Sequence, residues 1–168
     1  MNERVGHQKL ESMGKTSYDL RAASVSDLEF LFRVSTGAMQ PIDMALNPSK
    51  AFDREEEFKK YKEKFIPDEI QIITLEGRDV GRLRVVRGGN SIYVGGIQIL
   101  PEFQGKGIGT ALFQDLIEES EKTGRSITLE VHDVNIKAID FYKSLGFISV
   151  GSELNKTHME FTPKHKVG

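Results

Sequence analysis

The sequence predicts a single α/β (α+β) domain built on a mixed sheet. Three observations carry this. Segments with the period-2 alternation of a half-buried strand are interleaved with segments carrying the 3.6-residue repeat of an amphipathic helix. Their order is strand, two helices, three strands, helix, strand, helix, two strands, or about seven strands and about four helices. The length, 168 residues, suits one domain of ordinary size.

Met1–Lys15 is polar and aperiodic and is expected to form a loose arm ahead of a domain spanning 16–168. Ser17–Ala23 holds a short strand around Tyr18, Leu20 and Ala22. Ser24-Val25-Ser26-Asp27 reads as a capping box, followed by Leu28, Leu31, Phe32 and Ser35 at helical spacing. Gly37–Phe52, with Pro41 and Pro48, reads as a long irregular segment. A second helix runs from about Asp53 to Phe65, acidic at its start and basic at its end as the helix dipole favours.

Strands follow at Ile70–Leu75 and Val80–Val86, joined by a turn over Glu76–Asp79. In the next strand, Ile92–Leu100, the apolar phase flips. Ile92 and Val94 are even, Ile97 and Ile99 odd, and Gly95-Gly96 lies between. A bulge at the glycines produces such a slip; burial on both faces is the alternative. A helix from about Gly107 to Thr123 turns Ile108, Ala111, Leu112 and Leu116 inward and closes at Gly124. Ile127, Leu129 and Val131 alternate with Thr128, Glu130 and His132 in a strand. From Asn135, Ala138, Phe141, Tyr142 and Leu145 share one helix face. Short strands around Phe147–Val150 and His158–Thr162 end the order.

Composition narrows the function. Hydrophobic residues make up 38% and charged residues 29%, a globular balance. With 23 Lys and Arg against 25 Asp and Glu, the net charge is −2 and the pI is near 6.1. This argues against broad nucleic-acid binding, although a local basic patch suffices for one phosphorylated ligand. Cys is absent, which excludes disulfides, thiolate zinc sites and a cysteine nucleophile. His7, His132, His158 and His165 show no metal-ligand spacing, so no metal is expected. No stretch has the apolar core of a signal peptide or the roughly 20 apolar residues of a membrane span. A soluble cytoplasmic protein without membrane contact is expected.

Chemistry concentrates in Pro101-Glu102-Phe103-Gln104-Gly105-Lys106-Gly107-Ile108-Gly109-Thr110, which joins a strand to an amphipathic helix. Glycines allow close backbone approach and positive φ, and free N–H groups at a helix start favour phosphate. The physical reading is a diphosphate cradle. The dinucleotide fingerprint fails, because its third glycine position holds Thr110 or Leu112 depending on frame. The P-loop also fails: Gly14-Lys15-Thr16 has Lys9 where a glycine is required.

Gln104-x-x-Gly107-x-Gly109 resembles the acyl-CoA signature of the GNAT superfamily of N-acyltransferases, Arg/Gln-x-x-Gly-x-Gly/Ala. About 25 residues on, Asn135-Ile136-Lys137-Ala138, then Phe141-Tyr142 and Leu145-Gly146-Phe147, resemble the family's second block. The element order also fits, from about Ser17 to Thr162. The resemblance implies a mostly antiparallel sheet splayed between its fourth and fifth strands, with acetyl-CoA as co-substrate and pantetheine in the cleft. It implies that Ile97, Gln98 and Ile99 line the pantetheine, the backbone of Ile97 and Ile99 pairing with it as an added strand. Gln104, Gly105, Lys106, Gly107, Ile108, Gly109 and Thr110 would wrap the pyrophosphate. Asn135 and Ala138 would border the pantetheine, with Tyr142 near the sulfur as catalytic acid. The expected activity is N-acetyl transfer to a primary amine of a small molecule or peptide. An acyl-CoA-binding regulatory module with little catalysis is the alternative. A homodimer is compatible with the family.

The chemistry sets its own demands. A lysine-like amine of pKa near 10.4 is neutral in about one molecule per thousand at pH 7, so a base or a depressed amine pKa is needed. A thiolate leaving group of pKa roughly 8.5 can take a proton from a tyrosine of pKa near 10. A backbone N–H freed by a bulge near Ile99 could steady an oxyanion. Each residue also has a plainer reading: Tyr142 as a core aromatic, Asn135 as an N-cap, the glycines as a tight loop, Asp43 and Glu102 as surface. Glu130 and His132 read as a solvated sheet face. Gln98, where some family members carry a carboxylate, cannot act as a base, so no base is identified.

Overall fold

The structure, a computed structural model, describes residues 16–165 apart from the side chains at 38 and 39. The arm expected over Met1–Lys15 lies outside the described residues. Strands β1 (Asp19–Ala22), β2 (Ile70–Leu75), β3 (Arg78–Arg87), β4 (Ser91–Ile99), β5 (Ser126–His132), β6 (Ile148–Glu153) and β7 (Lys156–Phe161) form one sheet. Its order is β1-β2-β3-β4-β5-β7-β6. Only β4 and β5 pair in parallel. Helices α1 (Leu28–Leu46) and α2 (Arg54–Lys64) precede β2; α3 (Ile108–Thr123) follows β4 and α4 (Ile136–Ser144) follows β5. Among the described residues, no helix is long and apolar enough to cross a membrane.

Strand alternation sorts side chains onto two faces. Ile73, Leu83, Ile92, Val94, Ile127, Leu129, Val131 and Met159 turn one way, into the main core with Ile108, Leu112, Phe113 and Leu116 of α3. Ile70 and Ile72 turn the other way, against Leu31 of α1, with Tyr61 and Phe65 packed beside them. Arg82, Arg84, Gln98, Glu130, His132, Lys156 and His158 alternate with main-core residues and so share the α1/α2 face. Tyr18 ties β1's approach to α3: its hydroxyl donates to Asp115 Oδ2 at 2.5 Å.

Several expectations change. The segment from Gly37 is irregular only beyond Leu46; α1 continues to Leu46 with Pro41 inside it, and Asp43 is helical. A proline reads as a breaker because it lacks the N–H that would bond the carbonyl four residues back. Here one such bond, to Gly37, is forgone and the helix continues. The last two strands are longer than expected and form a hairpin. Its turn, Leu154-Asn155, has positive φ at both residues without a glycine to signal it.

The capping box at Ser24 forms, with Asp27 Oδ2 accepting from Ser24 N at 2.9 Å. Arg21 bonds Asp27 Oδ1 and Asp79 Oδ2, each at 2.8 Å, joining β1 to the entry of α1 and to β3. Hydrogen bonding from Arg21 holds the Asp27 carboxyl below its ordinary value. A depressed carboxyl stabilises the fold above its unfolded pKa and loses that contribution as pH falls through its folded one. Arg21→Gln is therefore expected to lower stability by up to about 1 kcal/mol at neutral pH. The difference should close as unfolding is followed below about pH 4. A gap that persists at pH 2 would place the stabilisation elsewhere.

Candidate active site

The bulge is real and it opens the site. Arg84 pairs with Gly96 and Val85 with Val94, leaving Gly95 unmatched. An added Cβ on Gly95 would lie 2.3 Å from Arg84 Nη1, so the position accepts a side chain only if Arg84 moves. An extra residue bends a strand and increases its local twist. Accordingly β4 and β5 pair only from Ser91–Ser126 to Val94–Leu129, and then diverge. Beyond that point β5 continues against β7 alone. The gap is a cavity of about 230 Å³ lined by Gly95–Gln98 of β4, Leu129–His132 of β5 and Asn135, Ala138 and Tyr142 around α4.

The β4 edge of this gap carries free backbone groups. Leu100 N donates to Val80 O at 2.9 Å. Antiparallel alternation then points the backbone of Leu100, Gln98 and Gly96 at β3, and that of Ile97 and Ile99 at the gap. Gln104 Nε2 donates to Ile99 O at 2.9 Å, which confirms the direction and occupies that carbonyl. The freed amides therefore belong to Ile97 and Ile99. The bulge lies at Gly95, as the phase flip predicts, four residues before the Ile99 amide.

Where β4 ends, a 3-10 turn at Pro101–Phe103 leads into the glycine loop. Gly105 and Gly107 have φ of +73° and +82°, and an added Cβ on Gly105 would meet open space. Gly107 caps α3 without any side-chain bond, so the first helical N–H groups have no side-chain acceptor. Lys106 reaches over Phe103, its Nζ 5.7 Å from the ring centroid, and its carbonyl accepts from Thr16 Oγ1 at 2.6 Å. Ile108 is buried and offers only its backbone; Gly109 and Thr110 complete the first turn. The cradle fits a diphosphate by its open N–H groups, its left-handed glycines and its nearby cation.

The other wall joins two readings of Asn135. It caps α4, Oδ1 accepting from Ala138 N at 3.2 Å, and it also lines the gap. Two turns further, Tyr142 packs against Phe113, Phe141 and Phe147 at 5.3, 5.5 and 5.7 Å between centroids. Its hydroxyl finds no hydrogen-bond partner among the described residues, and burial pushes its pKa up to about 12. Tyr142 is thus a core aromatic that also lines the gap.

Glu130 is exposed, as a solvated face requires, and His132 is half-buried. Both line the gap, and Glu130 is the one carboxylate among its described lining residues. Glu130 Oε1 lies 3.5 Å from His158 Nδ1 and Oε2 lies 3.9 Å from Lys156 Nζ. His132 Nδ1 is enclosed without a partner among the described residues. The alternation in the sequence had the side of the strand right; that β5 borders an open gap was invisible there. Ile42, from α1, also reaches the cavity. No group of three or more His, Asp or Glu able to hold a metal occurs among the described residues.

A family profile described as an acetyltransferase (GNAT) domain matches residues 45–167. Among curated proteins, the chain is 54% identical over 48 residues to an uncharacterized N-acetyltransferase of Methanocaldococcus jannaschii, covering 28% of this chain and 21% of that protein. It is 46% identical over 52 residues to the ribosomal protein bS18-alanine N-acetyltransferase of Escherichia coli, 30% of this chain and 35% of that one. The thialysine N-epsilon-acetyltransferase of Mus musculus is 33% identical over 87 residues, 45% and 51% of the two chains. These matches span between a fifth and about half of each relative's length. In fold, the chain is similar to a PaiA N-acetyltransferase from Thermoplasma acidophilum solved with coenzyme A, with TM-score 0.68, 19% identity and coverage of 88% and 99%.

Proposed function

The chain belongs to the GNAT acetyltransferase family, and from that premise we propose that it moves an acetyl group from acetyl-CoA to a primary amine by direct attack. The observation that carries the proposal is the succession of two features along one stretch of chain. The free edge at Ile97 and Ile99 borders the β4–β5 gap, and the uncapped glycine start of α3 follows it.

Acetyl-CoA, when bound, supplies the activated thioester. Gly105, Lys106, Gly107, Ile108, Gly109 and Thr110 hold its diphosphate through backbone N–H groups and one cation. Ile97 and Ile99 pair with its amide arm, and Asn135 is placed to donate to it. Glu130, flanked by Lys156 and His158, takes the proton that the acceptor amine must shed, directly or through one water. An N–H of this edge that the amide arm leaves unpaired faces negative charge developing at the gap. Tyr142 donates toward the departing sulfur. Its raised pKa keeps it protonated, and a thiol leaving from the same desolvated place is raised in the same direction. With Glu130 as the base, direct transfer stands ahead of the alternative of a binding module with little catalysis.

Thermal unfolding with and without acetyl-CoA tests the reading, with NADH and ATP as controls. At 100 times Kd a ligand adds about 2.7 kcal/mol, or roughly 5–10 °C in a domain of this size. A shift specific to acetyl-CoA is expected; its absence at millimolar concentration removes the reading. Glu130→Gln is expected to lower kcat/KM about tenfold at pH 7, with the gap narrowing as alkali neutralises more of the amine. A deficit independent of pH would deny Glu130 the role of base.

A further inference from the structure

Arg82 is a desolvated cation without a carboxylate partner among the described residues. It lies on the α1/α2 face beside Tyr61 and Phe65, and its Nε is enclosed and unbonded. Its neighbour Arg84, by contrast, pairs with Glu69 at 2.8 Å. Burial, reinforced by Arg84, presses the Arg82 pKa below the ordinary arginine value. A buried charge left unneutralised is costly to the fold. The bond Arg82 does make is to the cleft wall, Nη1 donating to Gln98 Oε1 at 2.7 Å.

That bond determines how Gln98 faces the cleft. A guanidinium has donors only, so the Gln98 atom against it must be the carbonyl oxygen, however an amide is otherwise assigned. The carboxamide is held by its oxygen, and its Nε2 hydrogens are left for other partners. The two walls of the gap then differ in chemistry. The β4 wall offers a donor backed by a positive charge. The β5 wall offers the carboxylate of Glu130.

We propose that Arg82 and Gln98 form an acceptor-recognition pair, in which Gln98 donates from Nε2 to a carbonyl or carboxylate oxygen adjacent to the reacting amine while Glu130 faces the amine itself. The inference rests on the acetyltransferase reading and narrows it to α-amino carbonyl acceptors. Gln98 touches the acceptor; Arg82 is a positioning residue that acts through it. A plain alkylamine leaves the Gln98 donor unused, and a polyamine adds a second cation near Arg82.

The test follows CoA release by the full chain with alaninamide, alanine and sec-butylamine, three amines of similar size that carry an amide, a carboxylate and no oxygen. The readout is the kcat/KM ratio of each oxygen-bearing amine to sec-butylamine. Comparing that ratio between proteins cancels the amines' different basicities. Gln98→Met keeps length and removes the donor, and is expected to lower the ratio about tenfold. Arg82→Lys keeps a cation but loses the planar fork and should move the ratio the same way, mainly through KM. Should Arg82→Lys fail to fold, Gln98→Met carries the test alone. A larger loss for alanine identifies a carboxylate acceptor, a larger loss for alaninamide an amide. An unchanged ratio in Gln98→Met overturns the proposal. So does a wild-type protein that binds acetyl-CoA yet turns over neither oxygen-bearing amine. Failure of the wild type to bind acetyl-CoA overturns the acetyltransferase reading instead.

Discussion

Gly107→Glu is expected to abolish acetyl-CoA binding while leaving a folded domain. Gly107 has φ of +82°, where a side chain costs about 1–2 kcal/mol. An added Cβ would also stand 2.8 Å from Thr16 Oγ1, the hydroxyl that bonds Lys106 O. The larger effect is electrostatic. A carboxylate about 4 Å from a phosphate, at an effective dielectric near 20, costs about 4 kcal/mol, or roughly a thousandfold in Kd. The ligand-induced rise in unfolding midpoint should vanish, while circular dichroism keeps its native form. Gly109→Ala is the matched control. Gly109 is helical, and an added Cβ would make an ordinary 3.8 Å contact with Phe141 Cζ. It should bind acetyl-CoA, and it should be slightly more stable than the parent, since alanine suits a helix better than glycine. Retention of the acetyl-CoA shift in Gly107→Glu would show that α3's start is not the diphosphate site.

Tyr142→Phe is expected to lower kcat about a hundredfold, with acetyl-CoA affinity changed by less than about threefold. The ring's contacts with Phe113, Phe141 and Phe147 survive the change, and the lost hydroxyl has no partner among the described residues. Stability should therefore hold or rise slightly. The raised pKa carries a second expectation. With the hydroxyl protonated up to about pH 12, no alkaline fall in kcat below pH 10 should come from Tyr142. Full turnover in the Phe variant would assign the residue to the core alone. An alkaline limb near pH 9 that disappears in the variant would show that the hydroxyl ionises far more easily than its burial implies.

Much of the fold was legible because it is written locally. Alternation placed β2 to β5, and the 3.6-residue repeat placed α2, α3 and α4, each within a residue or two. The phase flip at Gly95-Gly96 announced the bulge, since a strand's side-chain period of two makes a one-residue slip visible. Pro41 misled, because the helix continues through it with the Gly37 carbonyl left without its helical donor. The turn at Leu154-Asn155 was hidden because it is made without a glycine. Among the site residues, Gly105 and Gly107 declared themselves by type. Glu130 and His132 were assigned to the right face, and Glu130 is exposed as expected, but that this face borders a gap was not legible.

The division follows the range of the interactions. Residue type and spacing by themselves determined the element order, the phosphate-favouring start of α3, and the family resemblance carried by Gln104–Gly109 and Asn135–Phe147. Those signals repeat over a few residues and need no partner. Tertiary structure alone decided that β5 stops pairing with β4 after Leu129, that Glu130 thereby lines the gap, and that Arg82 holds Gln98 by its oxygen. Each of these joins residues 16 or more positions apart, and no local periodicity records which side chains a folded sheet brings opposite one another.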